Sequence, residues 1–182
     1  DFGDTVADVE KATDPPGNYH AVAVEWNPLG IFLGGRVSLQ GEFVPAQHHA
    51  IELSPHFVHT SNDVAVSNNG TTSQTFTGAG AEVGYRYYTG RRGPNGLFVG
   101  PSFLLGFYNA ALPGGDQSFS NIGVAVDVGI QKIFFEHLVV GGGLGLQWTT
   151  VSHDFNDLPT GSAIIAGGGV KPRFILAVGY TF

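Results

Sequence analysis

The chain has 182 residues, with 8 Lys and Arg against 15 Asp and Glu, so that only 13 % are charged, about half of the roughly 25 % usual in soluble domains. That length suits one domain with a full core, the absence of Cys excludes thiol catalysis, Cys-ligated zinc and a disulfide framework, and a net charge of −7 speaks against a nucleic-acid partner. No run approaches the ~18 apolar residues of a membrane-crossing helix, and a start at Asp1 rather than Met reads as a processed mature form.

Residues 1–18 hold five acidic residues, one Lys and Pro15-Pro16-Gly17 without periodicity, and read as a flexible acidic tail. From Tyr19 to Phe182 the pattern becomes alternation at period 2, broken by Gly, Pro, Asn, Asp and Ser clusters. Eight strands are predicted. The first, 19–27, sets Val22, Val24 and Trp26 against Ala21, Ala23 and Glu25, and a short apolar link, PLGIFLG, follows. The second, 35–44, sets Val37, Leu39 and Phe43 against Arg36, Ser38, Gln40 and Glu42. The third, 49–59, sets Ile51, Leu53 and Phe57 against Glu52, Ser54 and His56, and the fourth, 76–89, sets Val83, Tyr85 and Tyr87 against Glu82, Gly84, Arg86 and Tyr88. The fifth, 97–108, carries Leu97, Val99, Phe103, Leu105 and Phe107 on its apolar face; the sixth, 121–134, carries Ile122, Val124, Val126, Val128, Ile130 and Phe134 opposite Asp127 and Gln131. The seventh, 139–151, opposes Val140, Leu144, Leu146 and Trp148 to Gly141, Gly143 and Gly145. The eighth, 171–182, opposes Phe174, Leu176, Val178, Tyr180 and Phe182 to Arg173, Ala177 and Gly179. Links after strands 2, 4 and 6 are short, and those at 60–75, 109–120 and 152–170 are long and polar, the rhythm of an outer-membrane barrel.

Alternation alone leaves open whether the apolar face meets a core or lipid, since a lipocalin-like barrel reverses the senses. Three features favour lipid. The polar face is mostly Gly, Ala, Ser, Thr and Gln, as a crowded interior requires, rather than the Lys and Glu of a solvated surface. Its few charges, Glu25, Arg36, Glu42, Glu52, Glu82, Arg86, Asp127 and Arg173, mix signs and are expected to form a lumenal network in which Arg forks hold several carboxylates. Large aromatics end the strands: Trp26, Phe57, Phe107 and Trp148 on one rim, Phe43, Tyr85, Tyr87, Phe134, Tyr180 and Phe182 on the other, as two girdles.

The ending Phe174-Ile175-Leu176-Ala177-Val178-Gly179-Tyr180-Thr181-Phe182 resembles the terminal strand by which outer-membrane proteins are recognised, and residues 19–182 resemble small eight-stranded barrels of the OmpA, OmpX and PagL type. GYRYY at 84–88 and GLFVGPSFLLGFY at 96–108 are similar to an uncharacterised OmpA-like subfamily. The resemblance implies an all-β, eight-stranded antiparallel transmembrane up-and-down barrel with a side-chain-filled lumen in the outer membrane of a Gram-negative-type envelope. It further implies a periplasmic tail, recognition of Phe182 by the barrel-assembly machinery, and lipopolysaccharide and phospholipid as neighbours. A peptidoglycan-binding domain of the full-length OmpA kind is not among residues 1–182.

Other motifs are read structurally. The runs at 141–145 and 167–169 lack the Lys and helix start of a phosphate loop, and Gly141, Gly143 and Gly145 read as inward positions opposite bulky neighbours such as Tyr88 or Tyr108. His48, His49 and His137 share a rim without metal-ligand spacing, so no metal or cofactor is expected, and His56 reads as a lumenal hydrogen-bonding partner. Ser152-His153-Asp154 cannot form a relay alone, because neighbours on a strand point to opposite sides. The loop acids Asp63, Asp116, Asp154 and Asp157 and the turn cations Arg91 and Arg92 read as solvated charges. The reading is an outer-membrane barrel with a structural or interaction role, anchoring loops or tail to another envelope component, and not an enzyme. Two alternatives stand beside it: a PagL-type lipid A or phospholipid hydrolase, and an OmpW-like narrow conduit for small apolar molecules.

Overall fold

Strands that alternate small polar with large apolar residues leave two unpaired edges, which closure into a barrel removes. The computed structural model describes residues 17–66, 70–112, 115–152 and 168–182. In it eight antiparallel strands follow chain order around a closed barrel: β1 Val22–Trp26, β2 Arg36–Ala46, β3 His49–Val66, β4 Gly70–Tyr88, β5 Gly96–Leu112, β6 Gly115–Phe134, β7 Leu138–Val151 and β8 Gly169–Thr181. β1 pairs with both β2 and β8.

The register fixes the barrel's shape. Partners traced once around run Val24, Gly41, Leu53, Val83, Phe103, Val124, Trp148 and Val170, yet Val24 itself pairs with Tyr180. The walk therefore returns to β8 ten residues from where it closes, from Val170 to Tyr180. A shift of that size over eight strands gives a tilt of about 41° and about 2.5 Å of height per residue. An eight-stranded barrel is just wide enough for its own side chains.

Two predicted loops are strands. Residues 60–75 and 109–120 are polar, but their described parts continue the β3–β4 ladder out to the Val66–Gly70 pair and the β5–β6 ladder out to the Leu112–Gly115 pair. Thr and Ser suit a pleated ladder through cross-strand hydroxyl pairs. Ser61 Oγ lies 2.9 Å from Thr75 Oγ1, and Ser118 Oγ donates to Asn109 Oδ1 at 2.6 Å. Most of the third long link, 153–167, lies outside the described residues, as do 1–16 of the tail.

The first strand is shorter than predicted, starting at Val22 and stopping at Trp26, and the apolar link after it coils into the six-residue helix α1, Leu29–Gly34. Asn27 Oδ1 accepts the Leu29 N–H at 3.1 Å, Pro28 supplies a preset φ of −67°, and Gly35 ends the helix in the left-handed region at φ 65°. There its N–H donates to Ile31 O at 3.0 Å and its carbonyl accepts the His59 N–H at 3.0 Å.

The short turns gather at the opposite end, with Tyr19, His20 and the C-terminal residue. Tyr19 OH donates to Val44 O at 2.6 Å, His20 N–H to Arg92 O at 3.2 Å and Phe182 N–H to Val22 O at 2.9 Å. Burial alternates along every strand: the apolar residues Val37, Leu53, Phe103, Val126 and Leu146 face outward, and Glu25, Glu42, Glu82, Arg86 and Asp127 face inward.

Candidate functional site

The inward parity of each strand is set by its outward apolar partners, so the charges have no position but the interior. All eight predicted network residues point into it. They form two clusters, one above the other.

In the cluster nearer the short turns, Arg86 on β4 reaches two carboxylates. Its Nη1 donates to Glu42 on β2, and its Nε lies 3.0 Å from Glu52 Oε2 on β3. Tyr88 OH donates to Glu42 at 2.8 Å and 2.9 Å to its two oxygens. Glu25 on β1 is held by amides: Gln131 Nε2 at 2.5 Å and Gln40 Nε2 at 3.2 Å. The Arg86 guanidinium also stacks over Phe98, 4.6 Å from its centroid.

In the other cluster, Arg173 on β8 forks onto Glu82 at 2.9 Å and 3.1 Å and sends Nε to Asp127 at 3.3 Å. Ser102 donates to Glu82 at 2.5 Å. Arg36 on β2 is more loosely tied: its Nη2 is 3.8 Å from Glu82 and donates to His56 Nδ1 at 3.1 Å, and its Nε is buried without a hydrogen-bond partner. With Nδ1 accepting, His56 Nε2 carries the proton and donates to Tyr108 OH at 3.1 Å. Bidentate forks and neutral donors divided among five carboxylates are what make such burial tolerable.

Apolar layers that strand parity does not reveal bound this polar region. Near the short turns Val44, Ala50, Tyr88 and Phe98 pack with Tyr19 against them; toward the long hairpins Val58, Phe76, Tyr108, Ala110 and Phe119 close the bore. Small inward residues make the room. A Cβ on Gly129 would lie 2.5 Å from the Phe98 ring, and one on Gly78 or Gly106 would enter the Tyr108 ring. Gly141, Gly143 and Gly145 face Gln131, Phe98 and the Asp127–Arg173 pair respectively, so the bulky neighbours are not Tyr88 or Tyr108. Filling is incomplete: a cavity of about 200 Å³ remains beside Arg36, His56, Glu82, Gln147 and Arg173.

The ten predicted girdle aromatics, Trp26, Phe43, Phe57, Tyr85, Tyr87, Phe107, Phe134, Trp148, Tyr180 and Phe182, all point outward, each 40–64 % exposed. The pairing aligns Phe43 with Ile51 and Tyr85, and Phe134 with Leu138 and Tyr180, near the short turns; Phe57, Ala79 and Phe107 align nearer the long hairpins.

The histidines divide. His137 stacks on Tyr180 at 4.9 Å and meets His20 edge-on at 5.7 Å, whereas His48 and His49 contact Tyr85 and Tyr87. Among the described residues no three metal-ligating side chains converge. Ser152 Oγ accepts the Ser120 N–H at 2.9 Å, and its sequence neighbours His153 and Asp154 lie outside the described residues, with Asp157. Asp63 and Asp116 belong to β3 and β6 rather than to loops. Arg91 Nε donates to Gln47 Oε1 at 3.3 Å.

Tyr19 and His20 at the short-turn end are partly withdrawn from water. Burial raises the Tyr19 hydroxyl above its ordinary value, and burial first, then the charges of His137 and Arg92, lowers the His20 imidazole.

Fold and interior together define a closed eight-stranded, antiparallel up-and-down barrel, apolar outside and charged inside. Comparison with protein-family models, with curated proteins and with solved structures finds no match for this chain.

Proposed function

We propose that the chain is an integral outer-membrane β-barrel with a structural or interaction role, in keeping with its resemblance to the small OmpA-like and OmpX-like barrels. The observation that carries this reading is the inverted solvation of the wall. Val22 to Phe182 display an outward belt of large apolar side chains, while the ionic residues of the strands' central parts are buried inside. Contiguous exposed apolar area on a soluble monomer rarely exceeds a few hundred Å². On β6 the belt from Ile122 to Ile130 covers about 20 Å at the barrel's tilt, with Ser120 and Lys132 beyond it, close to the roughly 25 Å band of such barrels. Aromatic side chains at both margins suit the membrane interfaces.

The interior supports a scaffold rather than a solute pore, because two apolar layers flank a paired ionic network that occupies most of the bore. In this reading the short turns face the periplasm and the long β3–β4 and β5–β6 hairpins face outward from the cell. Refolded protein should float with phospholipid vesicles in a density gradient and should migrate faster on SDS gels before boiling than after. A chain that stays dispersed without detergent and remains at the bottom of the gradient would overturn the proposal.

A further inference from the structure

The wall of the barrel is not evenly built. β1 pairs only through Val22–Trp26, whose five residues cover about 12 Å of height at the tilt above. Beyond Trp26, residues 36–38 of β2 pair only with β3, and residues 169–177 of β8 pair only with β7. Between these two strand edges the wall is continued by residues 27–34, with α1 lying near β2, β3 and β8.

The outward side chains here are apolar: Val37 on β2, Val170 and Phe174 on β8, and Ile31 and Phe32 on α1, the last 83 % exposed. The seam is thus level with the belt. An unpaired strand edge facing hydrocarbon is expensive. Phe182 N–H bonds toward β1, so alternation turns the backbone groups of Leu176, Phe174 and Pro172 to the same edge, and Pro172 has no N–H to leave unpaired there.

Behind the seam lies the cavity, bounded there by Asn27 and Gly30 on one side and Pro172 and Phe174 on the other. A polar chamber therefore borders an apolar surface. Two guanidiniums of the chamber keep donors to spare: Arg173 is drawn to both Glu82 and Asp127 and leaves a buried Nη1 without a hydrogen bond, whereas Arg36, 3.8 Å from Glu82, hydrogen-bonds His56 and keeps a buried Nε without a partner. Arg36 is the more loosely tied of the two.

We propose that the β1–β8 seam is a lateral port for a single-chain amphiphile with a carboxylate head, seated on Arg36 while its chain leaves past Phe174 into the hydrocarbon. Charge complementarity selects the head, since a planar guanidinium matches a carboxylate. A cavity of about 200 Å³ holds that head and its first methylenes and has no room for a phospholipid headgroup with two chains. This inference rests on the membrane reading above.

The chain's two tryptophans report on the seam, because Trp26 pairs with Val178 and Trp148 with Val170. Full-length protein in phosphatidylcholine vesicles is titrated, at a pH where the probe is ionised, with dibromostearate, a quencher of indole fluorescence. Saturable quenching is expected for the acid and only proportional, partition-type quenching for dibromostearyl alcohol. In Arg36→Gln the acid should need at least about tenfold more probe for half-saturation, and Arg36→Lys should retain most of the binding. Proportional quenching by the acid in the wild type, or saturation that the alcohol or Arg36→Gln reproduces, would overturn the port. Should Arg36→Gln lose its heat-dependent gel shift, the comparison of acid with alcohol on the wild type decides alone. Protein that floats with vesicles yet quenches only in proportion sinks the port and leaves the barrel reading standing; protein that does not float sinks the barrel reading itself.

Discussion

Arg86 shows how much depends on single residues inside this barrel. It holds Glu42 and Glu52 at once, with both carboxylates and the guanidinium almost fully buried. Arg86→Met would leave two buried carboxylates without their cation, and such breakage typically costs about 3–5 kcal/mol. Urea unfolding in detergent micelles should show that loss, and adding Glu42→Gln and Glu52→Gln should recover part of it by removing the stranded charges. His20 gives a pH signature outside the strands. Its folded-state pKa is lowered, chiefly by burial, so the folded protein prefers the neutral ring while the unfolded chain binds a proton near pH 6.5. The stability it contributes is complete above about pH 6.5 and is lost as the pH falls below that. Urea midpoints measured from pH 7.5 to pH 5 should therefore fall more steeply for the wild type than for His20→Phe, with His137, Arg92 and Glu136 unchanged. Charge and parity made the network residues legible in the sequence. Tyr88, Gln40, Gln131 and Ser102 share that parity but carry no charge, so only their contacts reveal them as members.

At the scale of elements, the turns and hairpins carry the local rules. His137 N–H donates to Phe134 O at 3.2 Å around Phe135 at φ 49° and Glu136 at φ 70°. Two successive left-handed residues define a type I′ turn, for which Asn-Gly is preferred and bulky side chains are strained. Replacing Phe135 and Glu136 by Asn and Gly should raise stability by about 1 kcal/mol, read as a higher urea midpoint. The long hairpins are polar, and polarity alone does not distinguish a loop from a strand. Thr and Ser alternating with Val or Phe satisfy a ladder equally well once a partner strand is beside them. After β1 the apolar link, legible in the sequence only as a short connection, closes a turn of helix between Pro28 and Gly35.

For the molecule as a whole, the sealed bore predicts its electrical behaviour. Tyr108, Phe76 and Phe119 at one end and Tyr88 and Phe98 at the other place an apolar layer on either side of the polar interior. In planar bilayers the wild type is expected to stay at the baseline conductance. Widening the upper layer with Phe76→Ala and Phe119→Ala should add at most brief, small openings, and a steady multi-ion current from the wild type would contradict the sealed interior. Strand number, the inward and outward faces and the identity of the buried charges were determined by the sequence itself, because a period of two and the scarcity of charge leave one consistent assignment. Which carboxylate each guanidinium holds, how Gly129 makes room for Phe98, and the seam left where β1 stops at Trp26 were decided only in three dimensions. The Gly129–Phe98 fit follows from the β5–β6 register, whereas the ion pairs across the bore and the seam depend on the ten-residue offset at closure, which brings together residues far apart in the chain and which no local pattern encodes.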